Sequence, residues 1–473
     1  MTAIIDFLNT IFWSYVLVYG LIAVGIFFTI RLGFVQFVHF GEMFRVVRGS
    51  DKNDKSGITP FQALTTSLAS RVGTGNIAGV AVALYLGGPG AIFWMWVVAL
   101  VGMATAYAES TLAQLYKVRN KEGQYRGGPA FYIARGLGAP WAGGIFSVCL
   151  ILAFGLVFNA VQANSIADAM QGAFGFPKIG TGIVVAAITG VVIFGGIRQI
   201  ARVAEIVVPF MAGAYLLMAV VVLIMNITEV PGVIGLIFSS AFGLSEAAAG
   251  FTGGLAAAML NGVKRGLFSN EAGMGSAPNI AAVATPDPHH PSSQGLVQAL
   301  GVFIDTILVC TATAVLILLS GALVPDSGVT GTQLTQAAMQ EHIGAAGVYF
   351  VALAIFFFAF TSIIGNYAYS ENAMTFLGAG TGIPIAILRA AVLLMVVWGA
   401  YETVATVFDA ADASMGLMAT INLIAILLLS GTVAKLTKDY FDQKKAGERP
   451  TFHAANYPEL QGQIDQEIWS ERQ

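Results

Sequence analysis

The sequence predicts an all-α polytopic membrane protein of eleven transmembrane helices, organised as two inverted halves of five. Three observations predict it. Of 473 residues, 56% are hydrophobic and 10% charged, well under half the roughly 25% charge of an average soluble domain. The apolar residues gather into eleven segments, each near the ~20 residues that cross a bilayer as a helix. The second segment carries a polar, glycine-rich interruption, and the seventh carries a related one.

In chain order the segments cover residues 11–32, 61–86, 90–116, 141–170, 180–197, 203–227, 246–284, 294–323, 345–377, 383–401 and 412–435. No basic region precedes the first, so it reads as a retained helix and not a cleaved signal. Arg45, Arg48, Lys52 and Lys55 follow segment 1. Lys117, Arg119, Lys121, Arg126 and Arg135 follow segment 3, and Arg198 and Arg202 follow segment 5. Lys435, Lys438, Lys444, Lys445 and Arg449 follow segment 11. Loops after even segments are nearly free of Lys and Arg, Lys178 excepted. Basic residues collect on cytoplasmic loops, which predicts the N-terminus outside and the C-terminus inside. Residues 1–439 form the transmembrane domain, and 440–473 read as a polar cytoplasmic tail. His289 and His290 fall in the loop after segment 7 and read as solvated.

Several classes are excluded. Net charge is −3 and no basic patch suggests nucleic acid. Cys149 and Cys310 lie in separate apolar segments without metal-ligand spacing, so they read as small core residues. No Walker A, HExxH or CxxC motif is present, and no enzyme chemistry is indicated.

The interruption in segment 2 reads SRVGTGNIAGVA, Ser70–Ala81. Its Asn76–Ala81, NIAGVA, returns as Asn279–Ala284, NIAAVA, at an offset of 203 (279 minus 76). Gly73-Thr74-Gly75 is echoed by Gly273-Met274-Gly275. Segments 4 and 9 agree at an offset of 204 (366 minus 162), pairing Phe154 with Phe358, Gln162 with Asn366 and Asp168 with Asn372. Repeat one therefore covers about 61–227 and repeat two about 246–435. Five spans is an odd number, so the copies have opposite orientation. Inverted repeats that each open with a discontinuous helix point to a secondary transporter with its site near the midplane.

Unwinding a helix in lipid frees backbone groups, which is tolerable only where they line a cavity or hold a ligand. Glycine permits the geometry. The half-helix from Gly75 presents N–H groups and positive dipole, suited to a carboxylate. The half-helix ending near Val72 presents carbonyls, suited to a small cation. Carbonyls of Ala69 and Val72 with the hydroxyls of Thr361 and Ser362 make an all-oxygen cation site; hydroxyls bonded back to their own helix are the alternative. Around the second break, Phe268, Ser269 and Asn270 face the substrate, and Gln162 of segment 4 reaches it. Ionisable groups inside spans are functional by default: Arg71, Glu109, Glu271 and Asp305. Arg71 pairs with Glu271 or Asp305, or else it snorkels or closes a cytoplasmic gate. Asn76, in the break, joins Arg71, Glu271 and Asp305 as a coupling or gate residue.

The next stretch, Gly87–Gly102, reads GGPGAIFWMWVVALVG. It resembles the signature of the alanine or glycine:cation symporter family, as do SRVGTGNIAGVA and the run RGLFSNEAGMGSAP. The resemblance covers the chain except its tail. It implies a LeuT-type 5+5 inverted repeat, spans 2–6 and 7–11, with helices 2 and 7 discontinuous. It implies sodium-coupled uptake of alanine and glycine across a prokaryotic cytoplasmic membrane, with no cofactor beyond Na⁺ as coupling ion. By the same resemblance Ala69, Val72, Thr361 and Ser362 hold sodium, and Thr74 and Gly75 face the substrate carboxylate. Trp94 and Trp96 of the motif pack or anchor. Proton coupling through Asp305 or Glu271 is the alternative. Oligomeric state and sodium stoichiometry leave no trace in the sequence.

Overall fold

The computed structural model describes residues 2–49, 56–244, 254–325 and 327–470. Lys52, Lys55 and residues 246–253 of the seventh apolar segment lie outside the described residues. Helix dominates because lipid offers the backbone no hydrogen-bond partner. In chain order the elements are α1 (Ile5–Arg31), the pair α2 (Pro60–Arg71) and α3 (Gly75–Gly87), and α4 (Gly90–Leu115). A hairpin of β1 (Val118–Arg119) and β2 (Tyr125–Arg126) leads to α5 (Pro129–Gly136). Then come α6 (Pro140–Phe174), α7 (Lys178–Ile193), α8 (Gly196–Met225) and α9 (Val230–Ala241). A second interrupted pair, α10 (Gly254–Asn270) and α11 (Pro278–Val283), precedes α12 (Pro291–Ser320) and α13 (Gly331–Ile343). The chain finishes with α14 (Ala345–Phe376), α15 (Gly382–Tyr401), α16 (Val404–Leu428) and α17 (Ser430–Lys445).

Among the described residues, eight of these are long and apolar enough to cross a membrane: α1, α4, α6, α8, α12, α14, α15 and α16. Helices α3, α7 and α9 are apolar but shorter. Every expected apolar segment carries helix; the second and seventh carry two helices each. On α7, α8 and α15 large apolar side chains such as Val191, Phe210 and Ile383 are more than 70% exposed, which fits faces turned to lipid.

The two interrupted segments run side by side in opposite directions. Ile58, ahead of α2, bridges Ala284, just past α11. At the far end Gly87 of α3 lies against Ala257 and Asn261 of α10. Midway, Gly75 abuts Phe268 and Ser269.

Four features differ from the sequence reading. Helix α16 begins at Val404 instead of 412, because Asp412 is tolerated inside it through contacts with Lys264 at 2.9 Å and Arg265 at 2.5 Å. Helices α9 and α13 occupy stretches read as loops. His290 is fully buried, with Nε2 3.2 Å from Asp439 Oδ2, and the His289 ring lies 5.0 Å from that of Trp469; neither is a solvated loop residue. Finally, the tail packs back on the bundle. Tyr440, Phe452, Leu460, Ile464, Ile468 and Trp469 are buried, and the Trp469 indole donates to the Leu115 carbonyl at 3.1 Å. Its apolar residues are too widely spaced for a helical stripe, so composition alone reads it as polar.

Candidate functional site

The site forms where the two interruptions meet. A capping box starts α2: the Thr59 hydroxyl and Gln62 side chain each accept the other's backbone N–H at 3.1 Å, and Pro60 suits the first helical position. The helix stops at Arg71, where Val72 swings to ψ 83°. Side chains then take over the freed backbone. Gly73 N–H donates to Asn76 Oδ1 at 3.0 Å, and Thr74 N–H donates to Gln162 Oε1 at 2.9 Å. A Cβ on Gly75 would lie 3.0 Å from the Phe268 ring and 3.1 Å from Ser269 Cα, so only glycine lets the two segments approach this closely.

The second interruption uses left-handed backbone, with φ 59° at Glu271, 92° at Gly273 and 81° at Gly275. Asn270 Oδ1 accepts the Ala272 N–H at 2.9 Å, which leaves its amide nitrogen facing elsewhere. Thr74 and Asn270 are both fully buried, and among the described residues neither Thr74 Oγ1 nor Asn270 Nδ2 has a hydrogen-bond partner. An unsatisfied buried polar group costs about 1–3 kcal/mol. Two such groups at one junction call for a polar ligand. The apolar wall beside them is Phe268, its ring 4.7 Å from Phe158 and 5.5 Å from Phe408.

Of the four residues expected to hold a cation, the structure brings Ser362 to Ala69: its hydroxyl lies 3.0 Å from the Ala69 carbonyl and 3.1 Å from the Phe358 carbonyl of its own helix. Val72 is buried at the turn beside them. Thr361 points away, donating to its own helix at the Phe358 carbonyl (2.9 Å), with Met211 Sδ at 3.8 Å. Adjacent positions on a helix are turned about 100° apart, so one face takes Ser362 and another Thr361.

The charged residues arrange themselves differently from the sequence reading. Arg71 contacts neither Glu271 nor Asp305. Its Nη1 donates to the Gln298 carbonyl at 3.2 Å, while Nε and Nη2 have no hydrogen-bond partner. Gly301 makes the room, since a Cβ there would lie 2.5 Å from Nη1. The guanidinium still acts through space on Glu109, Glu271 and Asp305. Glu271 accepts from Ser70 at 3.0 Å, Ser276 at 2.5 Å and Tyr369 at 3.2 Å, which ties α2 to the second break and α14. Asp305 accepts from Asn76 at 2.6 Å, Ser269 at 2.8 Å and Thr306 at 2.7 Å. Glu109 accepts the Gly273 N–H at 3.2 Å and the Asn422 amide at 2.7 Å, and Tyr132 donates to Asn422. Cys310 is a buried free cysteine, as read, with its sulfur 3.1 Å from Ser269 Oγ.

Ser70, Asn366 (whose Oδ1 accepts from the Ser70 hydroxyl at 2.5 Å), Tyr369, Asn422 and Thr306 were missed by the sequence reading. Some signals existed. Asn366 pairs with Gln162 in the repeat alignment, and Thr306 adjoins Asp305. Tyr369 and Asn422 give no local signal, because only the fold brings them to the second break.

Comparison with known proteins adds the family context. A model of the sodium:alanine symporter family matches residues 1–454. The amino-acid carrier protein AlsT of Bacillus subtilis is 49% identical over 469 residues, covering 99% of this chain and 98% of that protein. The sodium/alanine symporter AgcS of Methanococcus maripaludis is 42% identical, over 94% and 98%. The putative sodium/proton-dependent alanine carrier protein YrbD of Bacillus subtilis is 43% identical, over 94% and 93%. Among solved structures, a manganese transporter of Eremococcus coleocola superposes with a TM-score of 0.52, covering 79% of this chain and 77% of that one at 15% identity; that likeness extends to the fold alone.

Proposed function

The chain belongs to the sodium:alanine symporter family, and from that premise we propose that it couples Na⁺ entry to uptake of small neutral amino acids, alanine and glycine, by alternating access. One observation carries the reading: the unpartnered, buried Thr74 hydroxyl and Asn270 amide at the junction of two interrupted helices. A zwitterion suits that junction. Its carboxylate meets the N–H groups and hydroxyl at Thr74 and Gly75, and Ser269 and Asn270 close the other side. Gln162 holds the break in shape. Phe268, backed by Phe158 and Phe408, would clash with a bulky substrate side chain. Ala69, Val72 and Ser362 form the cation site, from which Thr361 is turned toward Met211. Arg71, Asn76, Glu271 and Asp305 couple the two breaks.

The same reading counts eleven spans, with α2/α3 as span 2 and α10/α11 as span 7, and relates spans 2–6 to spans 7–11 as an inverted LeuT-type repeat. The opposite run of the two interrupted segments supports it. The basic loops put the C-terminus in the cytoplasm and the N-terminus outside, in the cytoplasmic membrane of a prokaryote. Alanine uptake into proteoliposomes, titrated with sodium, tests the function: uptake indifferent to Na⁺ removal refutes it. A proton-coupled variant is the second reading, favoured by the buried Glu271 and Asp305 and by the printed name of YrbD. It predicts uptake driven by a pH gradient without sodium.

A further inference from the structure

Asp305 sits at the centre of α12, fully buried. Its carboxylate meets only neutral donors: Asn76 Nδ2 at 2.6 Å from Oδ1, and Ser269 Oγ and Thr306 Oγ1 at 2.8 and 2.7 Å from Oδ2. Arg71 acts on it through space without touching it. Around it the helix widens to a π-helix over Phe303–Cys310, a distortion frequent at functional sites. Three separate stretches of chain, the first break, the end of α10 and the middle of α12, thus converge on one charge at membrane depth. Such a charge is costly there, and neutral hydrogen bonds do not cancel it.

The oxygens suit a small hard cation, which binds carboxylate and hydroxyl oxygen. Both hydroxyls can turn their protons away and offer lone pairs; Ser269 has Cys310 Sγ at 3.1 Å to receive its proton. Resting on the sodium-symport reading, we propose that Asp305, Ser269 and Thr306 form a second sodium site, distinct from that at Ala69 and Ser362, so that two Na⁺ accompany each amino acid. Asn76 is its positioning residue. It holds Asp305 through Nδ2 and the first break through Oδ1, which accepts Gly73 N–H at 3.0 Å, while its carbonyl accepts the Thr313 hydroxyl at 2.6 Å. Ser269 also abuts Gly75, so the cation and the substrate order the same junction.

The test is the coupling ratio, read in proteoliposomes from the Na⁺ gradient that just balances an opposing alanine gradient, together with radioactive sodium binding to the purified protein. The wild type should show two Na⁺ per alanine and two binding events, and Asp305→Asn one of each. A wild-type ratio of one, or a ratio of two that survives Asp305→Asn, overturns the site while leaving sodium symport intact. One Na⁺ accompanied by one proton also overturns it and gives Asp305 to the proton. Should Asp305→Asn fail to fold, Thr306→Val removes one ligand at nearly constant shape. It should weaken one of the two sodium events about tenfold, and an unchanged titration overturns the proposal. Wild-type uptake with no sodium dependence is a separate result, which removes the functional reading and this site together.

Discussion

Replacing Gly73 by alanine puts a methyl group where two polar side chains already stand. The new Cβ would overlap Ser362 Oγ and lie 2.8 Å from Gln162 Oε1. Gly73 is not one of the left-handed glycines, so the backbone tolerates alanine and the effect comes from the overlap alone. Both oxygens are engaged: Ser362 with the Ala69 carbonyl at 3.0 Å, Gln162 with the Thr74 N–H at 2.9 Å. Overpacking of this kind costs about 1–3 kcal/mol, and each displaced hydrogen bond about 1 kcal/mol more. The damage falls on the cation site and the shape of the break. With both bonds displaced the total is about 3–5 kcal/mol, so at 1.4 kcal/mol per factor of ten the sodium half-saturation for alanine uptake should rise about a hundredfold or more. Gly79→Ala is the control, since its Cβ would meet only the Thr74 carbonyl at 3.7 Å, an ordinary contact. The assay is initial alanine uptake into proteoliposomes across a sodium series, with size-exclusion chromatography to show folding. A folded Gly73→Ala protein with wild-type sodium half-saturation refutes the reasoning.

Thr74→Val and Asn270→Ala should each lower alanine affinity roughly tenfold or more, because each removes a buried group that lacks a protein partner; wild-type uptake in both moves the pocket elsewhere. Ser362→Ala should raise the sodium requirement more than Thr361→Ala, and the double variant at least as much as Ser362→Ala; a larger effect of Thr361→Ala alone contradicts the geometry. His290 gives a pH prediction. Its Nδ1 accepts the Ser292 N–H at 3.1 Å while Nε2 faces Asp439 Oδ2, so the ring is neutral and caps α12. Burial pushes its pKa below the ordinary 6.5, with Asp439 pulling the other way. The native state then binds fewer protons than the unfolded chain below about pH 6.5, and stability present above that value falls as pH drops. Burial also opposes ionisation of Asp439, but the hydrogen bonds from His290 and Gln443 outweigh it and hold its pKa low, which adds loss only in strong acid. Protection of residues 446–470 against hydrogen exchange, corrected for the slower intrinsic exchange in acid, should be lower at pH 5.5 than at 7.5, and less pH-dependent in His290→Gln. Equal protection at both pH values would sink the argument.

The sequence made the interruptions legible because lipid punishes an exposed backbone. A glycine-rich polar run inside an apolar segment has few explanations, and SRVGTGN and SNEAGMG are where α2 and α10 stop. Residue-level roles were less legible. Arg71 was read toward a carboxylate, yet the absence of a side chain at Gly301 lets it settle against Gln298. That choice depends on packing between α2 and α12, which no local pattern encodes. Thr361 and Ser362 are equivalent in the sequence and are separated only by helix phase. The tail shows the limit of composition: its sequence is polar on average, but a few large apolar side chains suffice to dock residues 440–470.

On the proposed sodium-symport reading, the charges around the two breaks give the cation its role. Glu109, Glu271 and Asp305 are buried within reach of one guanidinium, Arg71. Three carboxylates less one arginine leave −2 when all are ionised. A zwitterionic amino acid adds nothing to that sum, so substrate alone cannot relieve it. A cation at the Ala69–Ser362 pair removes one charge, and a cation at Asp305 removes the other. Desolvating uncompensated charge costs several kcal/mol per ion, so closing the bundle over the site is unfavourable until the cations are in place. If both proposed cation sites fill, coupling follows from electrostatics. An empty or half-loaded junction resists closure, and a fully loaded one closes with its net charge near zero. Neutralising Glu271 as Gln should weaken this dependence: a folded Glu271→Gln protein should admit slippage, with sodium leaking in without alanine. A leak-free variant at the wild-type coupling ratio would show that Glu271 holds the breaks together without contributing to the charge balance.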